Sequence, residues 1–225
     1  MDAKMRRVAG DEARPAGKER RTEMTDSAEH GPQPMTSGSF KPTRVVDLAA
    51  AEEAARALLA ALGQPADDAG TKDTPRRVAA AFAQMLQPES FSTTTFPNDR
   101  GYDELVVVRD IQFHSLCEHH LLPFHGVAHV AYLPGDRIVG ISKLARVVDA
   151  LARDLQLQER LTTQIADWLC DTLAPRGVGV VIEAEHLCMV VRGVRKPGAR
   201  TVTSALRGLV REDPRTRAEF LSLVA

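Results

Sequence analysis

From Val45 onward the spacing of apolar positions keeps changing, and each change marks an element. Val45 to about Leu62 is rich in Ala and Leu, both strong helix formers, and runs out near Gly63. Asp73-Thr74-Pro75 announces a second helix, a capping residue followed by proline in the first turn. Its Val78, Ala81, Phe82, Met85 and Leu86 follow the spacing of one helix face. The character then turns to strand. Leu105–Ile111 is a β-branched run, and Gly126–Leu133 is another, closed by the turn signal Pro134-Gly135-Asp136. Ser142 reads as the N-cap of a helix whose Leu144, Val147, Val148 and Leu151 share a face. A longer helix follows, with Leu157, Leu161, Ile165, Trp168, Leu169 and Leu173 on its stripe. Val178–Ile182 and Leu187–Val194 read as two strands with a tight link, and Asp213-Pro214 starts a last short helix. This order predicts an α+β fold: a four-stranded antiparallel sheet with two antiparallel helices on one face.

Before Val45 the pattern is missing. Residues 1–42 mix charged residues with Pro, Gly and Ser and hold few large aliphatics, too little apolar surface to offset the entropy of ordering. The chain therefore divides into a disordered N-terminal tail (1–42), an N-terminal helical segment (43–100) and a main domain (101–225).

Composition narrows the function mainly by exclusion. The 225 residues carry 29 Lys plus Arg against 30 Asp plus Glu, so no global basic field points to nucleic acid. Seven Phe, two Tyr and one Trp are too few for a base-stacking surface. The apolar runs fall short of the roughly 18–20 residues a membrane span needs, and the first residues lack the apolar core of a secretory signal. Three cysteines do not make a disulfide scaffold. A cytoplasmic globular protein, with no nucleic-acid or membrane partner, is the expectation.

Five of the seven histidines lie between His114 and His129, and Cys117-Glu118-His119-His120 sits among them. A thiolate and an imidazole three positions apart at the end of a strand reach one metal ion, and Cys188 offers a second sulfur. Cys117, His120 and Cys188 would form a zinc site with an open fourth position, as catalytic zinc requires. The same residues also suit buried thiols, or a closed structural site with His119 or His186 as the fourth ligand, and spacing leaves these readings open. Cys170, beside Trp168 and Leu169, reads as a small buried hydrophobe.

Charge is neutral overall but uneven locally. From His186 through Arg211 there is no Asp or Glu, yet Arg192, Arg195, Lys196, Arg200, Arg207 and Arg211 all fall there. Lys143 and Arg146 add to this at the start of the helix assigned to Ser142. A helix N-terminus with adjacent Lys and Arg suits a phosphate group, and guanidinium forks suit several phosphate oxygens. Such residues equally form a solvated face. Gln158-Glu159 opens the long helix. Its carboxylate could accept two hydrogen bonds from a guanine edge, or simply favour the helix dipole.

Several motifs together resemble GTP cyclohydrolase I. They are SLCEHHLLPFHG, YLPGDRIVGISKLARVVD, LQLQERLTTQIA, GVGVVIEAEHLCMVVRGVRK and TVTSALRGLVREDPRTRAEFL, in that order. The resemblance spans about residues 45–225, densest from 104. It implies the tunnelling fold, with 101–225 as the catalytic domain, and a homodecamer whose sheets join edge to edge into barrels, which would cover open strand edges. It implies that the chain hydrolyses GTP to formate and 7,8-dihydroneopterin triphosphate, the first step of pterin biosynthesis toward folate or tetrahydrobiopterin. On this pattern Cys117, His120 and Cys188 match the zinc ligands, and His119 and His186 match histidines that move protons. Ser142, Lys143, Arg146 and Arg192 match residues around the triphosphate, and Gln158 and Glu159 match the guanine-reading pair.

The implied chemistry suits these residue types. Zinc lowers the pKa of bound water to about 7, so that it can attack guanine C8. Ring opening, loss of C8 as formate, an Amadori-type rearrangement and ring closure follow, each moving protons near neutral pH as imidazoles can. Two other readings keep the same residues: a non-catalytic nucleotide or pterin sensor, and a structural metal module. Formate release separates the first from the enzyme, and a metal without exchangeable water marks the second.

Overall fold

The computed structural model describes residues 39–40 and 44–225. Of the tail expected to be disordered, 1–38 and 41–42 lie outside the described residues, whereas Ser39–Phe40 form a short strand, β1. Helix α1 (Leu48–Ala61) is capped by Asp47, whose carboxylate accepts from the Ala50 amide at 3.0 Å. It packs on α2 (Thr74–Leu86), which has Pro75 in its first turn as the sequence predicts. Strand β2 (Phe91–Ser92) pairs antiparallel with β1. The Phe40 ring stacks on Phe91 at 5.8 Å, and Phe91 in turn meets Trp168 at 6.2 Å, which ties β1 to the core. The domain boundary expected at residue 42 therefore has an ordered, core-contacting strand before it.

Strand β3 (Thr95–Pro97) pairs with β6 (Arg137–Val139) at the rim. The main sheet uses β4 (Val106–Cys117), β5 (Pro123–Leu133), β7 (Leu155–Gln156), β8 (Gly177–His186) and β9 (Arg200–Gly208), in spatial order β7-β4-β5-β8-β9. The four long strands are antiparallel, but the sheet has five: two residues of β7 pair parallel with Leu116 and Cys117 at the edge. So short a segment leaves no periodic signal in the sequence.

Three further expectations change. β4 continues past Ile111 to Cys117 through an irregularity after Val108, where Asp110 takes a left-handed φ of 56°. The polar pair Arg109-Asp110 marks that bulge and breaks the alternation. Leu187–Val194 is not a strand. It starts with the short helix α5 (Leu187–Val190) and continues as exposed turns, and the fourth long strand is β9. Its β-branched residues have strand propensity but no free neighbour, because the outer side of β8 pairs with β9 from Glu185↔Arg200 to Gly177↔Gly208. Finally, Gly140 rather than Ser142 caps α3 (Ile141–Ala152), and Ser142 lies exposed inside the first turn.

The core forms where helix stripes meet the sheet. Leu144, Val147, Val148 and Leu151 of α3 and Leu161, Ile165, Trp168, Leu169 and Leu173 of α4 (Gln158–Leu173) pack with Phe113, Phe124, Val130, Tyr132, Val180 and Ile182. A smaller cluster lies apart from it. There Val210 of α6 (Leu209–Glu212) and Phe220 of α7 (Pro214–Val224) join Leu105, Ala131 and Leu133. The C-terminal helices thus extend the hydrophobic packing beyond the two-helix layer that the sequence predicts.

Candidate functional site

The chemistry-bearing residues meet where β4 ends, β5 begins and β8 ends. Cys117 is the last residue of β4, and its amide donates to the Leu122 carbonyl while its carbonyl accepts from Leu121, closing a tight turn. Leu121 takes φ 54° to return the chain into β5. That turn carries His120 back beside Cys117, with Nδ1 3.8 Å from Sγ. On the far side of β5, Phe124 pairs with His186, so the chain leaving β8 places Cys188 in the same corner. Gly126 allows β5 and β8 to pack there, because a Cβ at this position would collide with the Glu183 carbonyl.

The donor atoms of Cys117, His120 and Cys188 all lie within 4.8 Å of one another. Cys117 is buried, Cys188 half-buried and His120 exposed, so the cluster opens toward solvent on one side. Burial pushes the Cys188 thiol up, the neighbouring Cys117 sulfur pushes it further, and the Arg192 guanidinium opposes both. Arg192 thus lies within electrostatic reach of this corner. Neither His119 nor His186 completes a fourth ligand. His119 points outward, its Nδ1 3.9 Å from Cys117 Sγ and its Nε2 3.9 Å from Glu118 Oε1.

His186 is held on two sides. Its ring stacks on Phe124 at 4.6 Å and 4°, and its Nε2 lies 2.8 Å from Gln158 Oε1. Burial pushes the imidazole below its ordinary value, and the Glu159 carboxylate pulls it partly back. Glu159 therefore acts on His186 across space while staying exposed on the first turn of α4. Gln158 is turned the other way: only 1% exposed, it is committed to protein partners.

Sequence reasoning missed the brace beneath this corner. Arg160 donates to Glu118 Oε2 at 2.6 Å, to the Leu155 carbonyl at 2.6 Å and to Gln156 Oε1 at 3.0 Å. It joins the turn carrying Cys117 and His120 to the turn carrying Gln158 and Glu159. The signal was slight, an arginine directly after Gln158-Glu159 and an acid between Cys117 and His119.

One predicted group lies elsewhere. Ser142, Lys143 and Arg146 stand at the start of α3, while the chain after α3 enters β7 beside Leu116 and Cys117. A 12-residue helix is about 18 Å long, so Ser142 and Lys143 stand at the end of α3 remote from β7, with Arg146 midway along it. Part of the remaining basic cluster is also committed: Arg200 pairs with Glu183 at 3.0 Å and Arg207 with Asp167 at 2.9 Å.

Comparison with known proteins gives this corner a context. The sequence profile of the family described as GTP cyclohydrolase I matches residues 51–225. GTP cyclohydrolase 1 from Streptomyces griseus is 56% identical over 181 residues, 77% of this chain and 89% of that one. The Thermobifida fusca enzyme is 53% identical over 80% of this chain and 89% of its own length. The enzyme of the same name from Mycobacterium ulcerans is 52% identical over 81% and 93%. The match spans both halves of the corner described above, and the chain belongs to the GTP cyclohydrolase I family, whose reaction converts GTP to dihydroneopterin triphosphate.

Proposed function

We propose that Cys117, His120 and Cys188 hold a catalytic zinc ion, and that the residues around it carry out the cyclohydrolase reaction. The observation that carries this reading is the three-donor cluster itself. Two thiols and an imidazole are a zinc donor set. Tetrahedral zinc bonds of about 2.0–2.3 Å set donor separations of about 3.5–3.8 Å, and the Cys117–His120 separation is 3.8 Å. Held by these three residues, a zinc ion would supply Lewis acidity and would lower the pKa of a water to about 7.

The chain's own side chains do the rest. Glu159 accepts from the ring N–H and exocyclic amine of guanine, which turns C8 toward the cluster. Adenine lacks that donor pair and leaves the carboxylate unpaired, so ATP is rejected. His186, held in place and with its pKa lowered by burial, exchanges a proton with the opening imidazole ring. His119, exposed at the mouth, serves later proton transfers, and Arg192 faces the triphosphate. Gln158 enters the sequence reading as a second base reader, but its burial leaves that task to Glu159.

Ser142, Lys143 and Arg146 reach the triphosphate only if a second copy supplies them. Within the described residues β9 lacks a partner on its outer side, and β7 covers only two residues of β4. Edge-to-edge joining of copies into the barrel of the tunnelling fold, as in a homodecamer, would cover both edges and complete the site. Three free cysteines suit the reducing cytoplasm, where the substrate is found, and no described helix is long and apolar enough to cross a membrane.

The test is formate release from GTP by zinc-loaded protein, with ATP and a chelated sample alongside. Formate only from GTP, lost on chelation, is expected. GTP binding without formate would instead favour a sensor. His186→Ala should abolish turnover with assembly intact, and full activity in that variant would remove the assigned role.

A further inference from the structure

We infer that Gln158 is a positioning residue rather than a guanine reader: its carbonyl oxygen accepts from His186 Nε2 and fixes the ring, leaving the Nδ1 edge free for substrate. The inference rests on the proton-transfer role given to His186 above.

The argument is an accounting of donors and acceptors. An amide side chain offers two N–H donors on one side and a carbonyl acceptor on the other, and its orientation follows from its partners. Gln158 Nε2 lies 2.9 Å from the Thr201 carbonyl, 3.1 Å from the Ile182 carbonyl and 3.2 Å from Thr203 Oγ1. Two of these partners are carbonyl oxygens, which cannot donate. Turning the amide over would set its own oxygen against both of them, so the nitrogen must face this way.

The hydroxyls agree. Thr162 Oγ1 donates to the Gln158 main-chain carbonyl at 2.6 Å, which uses its single proton. At 2.6 Å from Thr162, Thr203 must then donate to it, which leaves Thr203 Oγ1 free to accept from Gln158 Nε2. The ring of bonds closes in one direction only. Its members are deeply placed, with Gln158 and Thr162 each 1% exposed, where an unmatched polar group is costly.

One atom of the amide remains. Oε1 can only accept, so at 2.8 Å His186 Nε2 must carry the proton. The stack on Phe124 holds the ring plane, and the bond to Oε1 sets which edge faces inward. Nδ1 makes no hydrogen bond among the described residues, so this edge of the oriented ring is the one left for substrate, while the Gln158 amide has both its ends engaged by protein.

Gln158→Leu tests this. It removes the acceptor and the donors while nearly keeping the volume. Turnover number and KM are measured for GTP and for inosine triphosphate, which lacks the exocyclic amine. A positioning role predicts a turnover number lower by about 10- to 100-fold, as when an orienting partner is lost, with KM for GTP within about threefold. The preference for GTP over inosine triphosphate should be unchanged. A tenfold or greater rise in KM at unchanged turnover, or loss of that preference, would overturn the inference in favour of base reading. Unchanged kinetics would also overturn it.

Thr203→Val is the second variant, decisive if Gln158→Leu fails to assemble. It leaves the amide in place but loosens its anchor, and should lower turnover in the same direction by less, again without changing base preference. No loss of turnover in this variant would overturn the inference. The failure of the underlying reading is separate: a fully active His186→Ala protein removes the role of His186 itself, whereas an inactive one beside an unaffected Gln158→Leu removes only the part assigned to Gln158.

Discussion

The metal corner and the basic first turn of α3 are both built from polar residues that the sequence singles out, yet they are finished to different degrees. At the corner, strand pairing delivers everything within one chain. Leu116 pairs with Pro123 and Phe124 with His186, so residues far apart in sequence meet through two neighbouring ladders. α3 has Lys143 in its first turn and Arg146 in its second: the helix begins at the end remote from β7 and points its C-terminus toward it. A rigid sheet can assemble a metal site unaided. A triphosphate is long, and on the proposed reading its far end needs more charge than Arg192 brings to that corner.

The largest effect should come from breaking the finished half. Cys188→Ala removes one of the three donors proposed to hold zinc and should lower formate release at least about 1,000-fold, with zinc content falling in parallel, since a bound ion would activate the water for hydrolysis. Retained zinc and activity would mean that the corner is closed by other ligands.

Arg146→Ala probes the unfinished half. We expect KM for GTP to rise by about 10- to 100-fold, with a smaller change in turnover, because a guanidinium–phosphate contact is made to substrate as much as to the transition state. Mixing Arg146→Ala chains with Cys188→Ala chains sharpens the comparison. If the two halves come from different copies, refolded mixtures regain activity that neither variant has alone, and mixtures that stay inactive would place both halves in one chain.

Arg160→Met acts on the brace rather than on the chemistry. The Arg160–Glu118 pair is partly exposed, so solvent screens its contribution to stability. Its geometry still orients both turns, and we expect zinc to be lost to a chelator about tenfold faster, with turnover lower by a similar factor. An unchanged chelation rate would show that the turn at Cys117 holds itself.

Leu169→Ala should leave the site almost untouched. Leu169 is fully buried, and its truncation should cost about 2–5 kcal/mol in urea unfolding. Turnover per folded, metal-loaded chain should change by less than about twofold, since the residue is a core side chain and none of the corner's donors. A larger change would mean that core packing and site geometry are coupled.

The legible parts of this protein were those written in local pattern. The stripes of α3 and α4 needed only the three-and-four spacing. The metal donors stood out because thiols and imidazoles were concentrated around Cys117 and repeated at Cys188. Leu187–Val194 misled because its β-branched run matches strand propensity, while the place beside β8 goes to Arg200–Gly208. β4 was cut short at its bulge, where a left-handed residue interrupts alternation without ending the strand. Arg160 and Thr203 lie inside matched stretches but no spacing marked either, since a brace is visible only when both ends are in place.

By itself, then, the chain determined which segments become the long helices, which faces α3 and α4 bury, and which residue types could bind a metal or meet a phosphate. Those are properties of side-chain chemistry and of spacing over a few residues. Tertiary structure alone decided that Gln158 turns inward to His186 instead of outward to a base, that Arg160 spans two turns, and that the basic turn of α3 lies away from the metal corner. The physical reason is that a hydrogen-bonding side chain has the same donors and acceptors wherever it stands. Only the packing of β8, β9 and α4 around Gln158 determines which of them are already satisfied.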